Sequence, residues 1–209
     1  MTGLALPASS RISKLSKIKA STVLYRNHHK DFGGAAFNPC LGDVSRFAPI
    51  RTPSGVCIPT FYAATTFDAA AYETVFREPP GPFAAYPRHK LQSRSVSRIA
   101  PKADLYLVPF FTPEHGGFGL KELDVFHPSE TVYGCCRSHA EMTWRDNPGA
   151  HGIIWSSVRD SNANAMVLFG DRLNPDDFEI LNIRLVATDV TLLDEFSEAA
   201  DRSGAFISK

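Results

Sequence analysis

The residue of this sequence best placed to do chemistry is Glu73, a carboxylate in the apolar stretch Ile58 to Arg77, IPTFYAATTFDAAAYETVFR. Burying a carboxylate costs free energy unless something compensates it. Two readings stay open. Arg77 stands one turn on, in the acid-first i,i+4 order that contributes about 0.2–0.5 kcal/mol on an exposed helix face; alternatively the carboxylate is held in a perturbed environment for a functional reason. Around it in chain order come Arg26, ending the apolar run TVLYR beside Tyr25, and Arg46, between the turn signals of a Gly-, Pro- and Asn-rich loop. Tyr62 follows in FYAAT, and Ser156, Ser157 and Arg159 close GIIWSSVR. Arginine presents a planar fork of donors suited to phosphate, and an aromatic ring can hold the face of a flat cation. Small hydroxyls at a strand end beside a loop are where sites are commonly built. Each also has an ordinary structural reading: a surface ion pair for either arginine, core packing for Tyr62, a backbone-bonded hydroxyl for Ser157.

Several chemistries are excluded. Neither serine has an evident histidine partner and no G-x-S-x-G elbow is present. No Walker loop or dinucleotide-binding glycine fingerprint appears, and Gly116-Gly117-Phe118-Gly119 reads as a turn. The seven histidines show no metal spacing, so no metal is expected. The cysteines, Cys40, Cys57, Cys135 and Cys136, lack C-x-x-C spacing and read as small buried or half-buried thiols.

The elements that must position these groups follow from local signals. Ile58 to Ala63 reads as a buried strand that runs through Thr65-Thr66 into a helix stopping before Pro79-Pro80, with Thr66 as cap, Asp68 at the positive end and Ala69-Ala70-Ala71 as strong helix formers. Thr22 to Arg26 reads as a strand, followed by about thirty residues of loop. The basic stretch with Arg88, His89, Lys90, Arg94 and Arg98 reads as a solvated connection, the alternative being a phosphate-attracting patch. Asp104 to Phe111, Gly152 to Arg159, Ala165 to Phe169 and Phe178 to Val186 read as strands. Ser129 to Asn147, capped by Ser129, and Leu192 to Ala200, with Asp194, Glu195 and Glu198 on its wetter side, read as helices. Strands around a few helices without regular βαβ alternation predict an α+β domain.

With 209 residues, 44% hydrophobic and 21% charged, the chain is ample for one core. Its zero formal net charge argues against a surface dominated by nucleic-acid contacts. Residues 1–20 read as a basic, Ser-rich leader, either mobile or ordered against the domain or a partner, and 21–209 as the domain. No apolar run is of membrane-spanning length, so a cytoplasmic protein is expected.

The ordered set LYR, RF-x-P, FYAAT with a glutamate in the following helix, and SSVR resembles the RES-domain family, named for its Arg, Glu and Ser. The resemblance implies an α+β fold related to ADP-ribosyltransferase toxins, with central mixed or antiparallel strands. It implies an activity that destroys NAD⁺ by hydrolysis or phosphorolysis of the nicotinamide–ribose bond. NAD⁺ is then a substrate and not a cofactor, with phosphate as co-substrate in the second case. By matching motif, Glu73, Ser157, Arg46 and Tyr62 are the catalytic candidates, and Arg26, Arg46, Tyr62, Tyr25, Ser156 and Arg159 the substrate-binding ones. The resemblance further implies a toxin held inactive by an antitoxin with a helix-turn-helix domain; self-association is left open. Transfer of ADP-ribose to a macromolecule, or a silent binding module, are the competing readings.

Overall fold

The computed structural model describes residues 9–76, 85–111, 130–157 and 159–208. Its elements in chain order are β1 (Ser16–Ile18), β2 (Leu24–His29), β3 (Ile50–Arg51), β4 (Cys57–Ile58), β5 (Thr60–Ala64), α1 (Phe67–Tyr72), β6 (Ala85–Pro87) and α2 (Arg88–Leu91). There follow β7 (Arg94–Pro101), β8 (Leu105–Pro109), α3 (Glu130–Asp146), β9 (Gly152–Ser156), β10 (Asn164–Phe169), β11 (Phe178–Leu185), α4 (Val190–Arg202) and β12 (Phe206–Ser208). Eight strands form one mixed sheet in the order β1-β8-β9-β10-β5-β2-β7-β11. Among the described residues of this sheet only β8 and β9 pair in parallel, while β6 and β12 form a separate parallel pair. The fold is α+β, as expected.

The central strands are apolar at consecutive positions because both faces of the sheet are covered. Ile153, Trp155, Val167 and Phe169 pack on one side with Cys136 and Ala140 of α3, while Ile154, Met166 and Leu168 pack on the other with Leu24, Phe61 and Phe178. A third apolar cluster joins Ala71 and Tyr72 of α1 to Val96 and to Phe196 of α4.

One feature of the sheet makes room for a site. Strands β2 and β5 are neighbours, yet they share only the register pair Tyr25–Ala64. Beyond it they part, and Arg26 to His29 face a gap whose other side is Thr60 to Ala63. Loop residues fill part of it: Asn38 bridges Thr60 through backbone hydrogen bonds of 2.7 and 2.9 Å.

The structure corrects several expectations. The basic stretch is no solvated connection: it supplies β6, α2 and β7, and β7 is an interior strand between β2 and β11 with Ser95, Val96, Ser97, Ile99 and Ala100 buried. Its polar look is deceptive because Ser97 is satisfied internally, its hydroxyl 2.8 Å from His28 Nε2. Nor are all the cysteines thiols. Cys40 and Cys57 form a disulfide with Cα atoms 6.2 Å apart, brought together because the loop folds back as the β3–β4 ribbon. Apart from these corrections, residues 9–18 pack on the domain: Ser10 N donates to Asp146 Oδ2 at 2.9 Å, Ile12 N to Asn147 Oδ1 at 2.9 Å, and β1 pairs with β8. Helix α1 is shorter than expected, ending at Tyr72 with Glu73 as its C-terminal cap. Arg77, Ser129 and Gly116 to Gly119 lie outside the described residues.

Candidate active site

Two connections bring Glu73 and Ser157 together. Thr66 begins α1, its hydroxyl oxygen accepting from Ala69 N at 3.1 Å and the hydroxyl donating to Asp160 Oδ2 at 3.1 Å. Asp160 belongs to the turn after β9, where Ser157 N donates to Ala163 O and Ala163 N to Asp160 O, both at 2.9 Å. The cap of the helix is thereby tied to the turn that carries the serine. At the far end of the helix Ser157 Oγ donates to Glu73 Oε1 at 3.2 Å, and Arg46 Nη1 lies 3.7 Å from Glu73 Oε2. The side chains of Arg46 and Glu73 are 7% and 9% exposed. Glu73 is paired, but with Arg46 from the loop.

Tyr62 explains how a loop residue reaches that place. Its hydroxyl is 2.9 Å from Ser45 Oγ and accepts from Phe47 N at 3.2 Å, which fixes the backbone on both sides of Arg46. Phe47 is buried against Trp155, with ring centroids 4.8 Å apart, so the loop is anchored in the core. Even so, Arg46 Nε and Nη1 are buried with no hydrogen-bond partner. For a guanidinium that is an unusual state, because buried donors are normally satisfied.

Arg26 stands across the gap. Its guanidinium lies over the Phe61 ring, 4.0 Å from the centroid, and Nη1 donates to Gly34 O at 3.5 Å. Gly34 permits this close arrangement, since a Cβ there would meet Ser97 Oγ at 2.6 Å. Burial pushes the Arg26 pKa down to about 10, because desolvation disfavours the charge. No carboxylate pairs with it among the described residues. Beside it, His28 Nδ1 lies 2.9 Å from the carbonyl of His29, which can only accept, so Nδ1 carries the proton and Nε2 accepts from Ser97. Burial, aided by the charges of Arg26 and Arg94, lowers the His28 pKa to about 4 and keeps the ring neutral.

These groups border a cavity of about 500 Å³ whose wall includes Arg26, Asn27, Tyr62, Glu73, Thr74 and Arg94. Of the residues singled out in the sequence, Arg26, Tyr62 and Glu73 are on that wall, Arg46 is against Glu73, and Ser157 bonds to Glu73. Tyr25, Ser156 and Arg159 are not on the wall. Tyr25 packs among core residues, Ser156 pairs with Asn164 in the sheet, and Arg159 keeps one buried guanidinium nitrogen without a hydrogen-bond partner. Asn27 and Arg94, both on the wall, were not among the site candidates, although Arg94 belongs to the stretch whose alternative reading was a phosphate-attracting patch. Asn27 donates from Nδ2 to Thr74 Oγ1 at 2.9 Å, and its only signal was to follow LYR. Arg94 sat inside the stretch read as a connection.

A family model described as the RES domain matches residues 23–191. The chain belongs to the RES-domain family. That match spans every residue of the constellation, from Arg26 to Ser157. Among solved structures, this RES-domain chain is similar to a chain in the crystal structure of the M. tuberculosis MbcT–MbcA toxin–antitoxin complex, at 15% identity and a TM-score of 0.59, over 86% of this chain and 91% of that one. No curated protein matches it. Among the described residues, no helix is long and apolar enough to cross a membrane.

Proposed function

We propose that this protein cleaves the nicotinamide–ribose bond of NAD⁺ as the toxin of a toxin–antitoxin pair. The observation that carries the reading is the Ser157–Glu73–Arg46 arrangement at a cavity whose wall also holds Arg26, a cation with no carboxylate partner among the described residues. RES-domain membership and the likeness in fold to a chain of a toxin–antitoxin complex support it.

The chemistry follows from the bond. Its C–N electron pair leaves with nicotinamide, which departs neutral, and positive charge develops on the ribose. No acid is needed for such a leaving group, so one carboxylate suffices where ordinary glycosidases use two. Glu73 gains more from the charged transition state than from the ground state, which is the condition for rate enhancement. Ser157 donates to that carboxylate and orients it, which makes it a positioning residue. Arg26 takes negative charge from the diphosphate. A water then adds to the anomeric carbon and releases a proton, giving ADP-ribose; with inorganic phosphate as the nucleophile the product is the ADP-ribose phosphate ester. The partner in this proposal is an antitoxin protein with a helix-turn-helix domain, and the setting is the cytoplasm.

The test is nicotinamide release from NAD⁺ by the purified chain, with and without phosphate, and beside Glu73→Gln. Release should fall about 10³-fold in the variant. A phosphate requirement names the nucleophile, and labelled ADP-ribose on a macromolecule points to transfer. Full activity in Glu73→Gln, or no release from folded, inhibitor-free protein, overturns the reading.

A further inference from the structure

Helix α1 is six residues long, too short to hold its own ends, so whatever pins its last turn decides where Glu73 is placed. Glu73 is the C-terminal cap, and its N–H still reaches Ala69 O at 3.0 Å. The next residue breaks the pattern. Thr74 N turns to Ala71 O at 3.3 Å, and the Ala70 carbonyl takes the Thr74 hydroxyl at 2.6 Å. A carbonyl only accepts, so the hydroxyl hydrogen is spent there and Thr74 Oγ1 can only accept in its other contact. That contact is Asn27, whose Nδ2 donates to it at 2.9 Å. The hydroxyl therefore orients the amide, with its nitrogen toward Thr74 and Oδ1 away.

Asn27 lies on β2 next to Arg26, is only 7% exposed, and borders the same cavity as Thr74 and Glu73. Its Oδ1 is buried with no hydrogen-bond partner. A buried amide kept only for stability would satisfy both its ends, because an unpaired acceptor offsets what the other end gains. An apolar side chain would fill the space without that cost. What it could not do is hold Thr74. The two ends of α1 are thus fixed to different parts of the sheet, Thr66 to the turn after β9 through Asp160 and Thr74 to β2 through Asn27. Next to the second of these ties comes the carboxylate that meets Ser157 and Arg46.

We propose that Asn27 is a positioning residue for Glu73, acting through the Thr74 hydroxyl. The Asn27–Thr74–Ala70 relay stops the helix at Tyr72 and keeps the Glu73 carboxylate against Ser157 at the cavity wall. Since Arg26 is the neighbouring residue of the same strand, β2 then sets both a cation and the carboxylate of the site. The kinetic consequence rests on the NAD⁺ reading above; the relay itself rests on the hydrogen bonds. It acts on the reacting geometry more than on binding, because a displacement of about 1 Å at a reacting centre costs about a hundredfold in rate.

The test measures kcat and KM for nicotinamide release in Asn27→Ala, Thr74→Val, the double variant and Thr74→Ser, together with ligand-free crystal structures of the same proteins. Each single removal should lower kcat about ten- to a hundredfold and leave KM within about twofold of wild type. The double variant should lose no more than the worse single one, because both break one relay. Thr74→Ser keeps the hydroxyl and should recover most of the rate lost in Thr74→Val. Should Asn27→Ala fail to fold, Asn27→Leu keeps the size without the amide and should show the same loss. In crystals of Asn27→Ala and Thr74→Val the Glu73 carboxylate should have left its hydrogen bond with Ser157 Oγ. Unchanged kcat, losses that multiply in the double variant, or Thr74→Ser behaving as Thr74→Val overturns the relay. So does a Glu73 carboxylate that stays on Ser157 in both variant structures, a readout that needs no turnover. The two proposals therefore fail separately: a wild type that releases no nicotinamide removes NAD⁺ cleavage, while the crystal comparison still decides the relay.

Discussion

Arg46 and Arg184 are both arginines facing carboxylates, and they are treated in opposite ways. Arg184, on β11, donates from Nε to Asp189 Oδ2 at 2.7 Å, from Nη2 to Asp189 Oδ1 at 3.1 Å and from Nη1 to Glu195 Oε1 at 2.6 Å. Asp189 also caps α4 by accepting from Leu192 N at 2.9 Å. Every charge there is used, and the cluster is half-exposed. Arg46 is deeper, meets its carboxylate only at 3.7 Å and leaves Nε and Nη1 without partners. A network built to hold elements together closes its hydrogen bonds; one built around a cavity leaves capacity for what enters. The difference lies in how completely each charge is satisfied, and it predicts which substitutions damage activity and which damage the fold.

The largest effect should come from Arg46→Ala, lowering the rate of nicotinamide release about 10³-fold, about 4 kcal/mol of transition-state stabilisation. Its melting temperature should fall as well, because the change leaves the Glu73 carboxylate buried without its cation, so turnover is compared on protein shown to be folded. A folded Arg46→Ala with near-wild-type turnover would break the contrast. Next comes the loop that delivers Arg46. Replacing both Cys40 and Cys57 by serine opens a link of sequence separation 17, worth about 3 kcal/mol in the loop-entropy picture. Denaturant unfolding should show that loss, and release of nicotinamide should fall as well, since the freed segment carries Arg46. Unchanged turnover would mean that the Tyr62 contacts alone hold the loop.

Arg184→Ala should differ from Arg46→Ala in keeping full turnover, with a melting temperature lower by about 2–4 °C, the scale of roughly 1 kcal/mol in a domain of this size. The loss should shrink in high salt, because these charges are half-exposed.

This contrast also separates what was legible in the sequence from what was not. Glu73 stood out because a carboxylate in an apolar run is an anomaly visible in one line of sequence. Its partner was not, since the helix expected to reach Arg77 stops at Tyr72 and the pairing residue comes from a loop 27 positions earlier in the chain. Strands such as β9 and β10 were legible because both their faces are apolar. Strand β7 was not, because two of its buried positions are serines, and Ser97 finds its partner on β2. Arg94, which opens that strand, had a place only in the alternative reading of the stretch as a phosphate-attracting patch. The Cys40–Cys57 link was hidden for a related reason: it depends on a ribbon of two-residue strands, too short for any periodicity to reveal.

The smallest effect concerns His28, which tests whether lining the cavity is itself what leaves a group unsatisfied. It borders the same space as Arg26 and Arg94, yet both ring nitrogens are bonded, one to the His29 carbonyl and one to Ser97. Its pKa is lowered to about 4, mainly by burial and further by Arg26, Arg94 and His29. The ordinary histidine value is about 6.5, so the unfolded chain takes up this proton first as the pH falls. The folded state therefore keeps the full contribution of the neutral ring above about pH 6.5 and loses it progressively down to about pH 4. Thermal melts at intervals across that range should show wild type losing stability faster than His28→Gln, which has no ring to protonate. At pH 7.5 the two should differ only by the lost packing and hydrogen bonds, with no pH slope between them. Parallel slopes from 6.5 to 4 would mean that the ring protonates as readily in the folded protein as in the unfolded chain, and His28 would then belong with the uncompensated groups of the cavity, where a bound anion could raise its pKa.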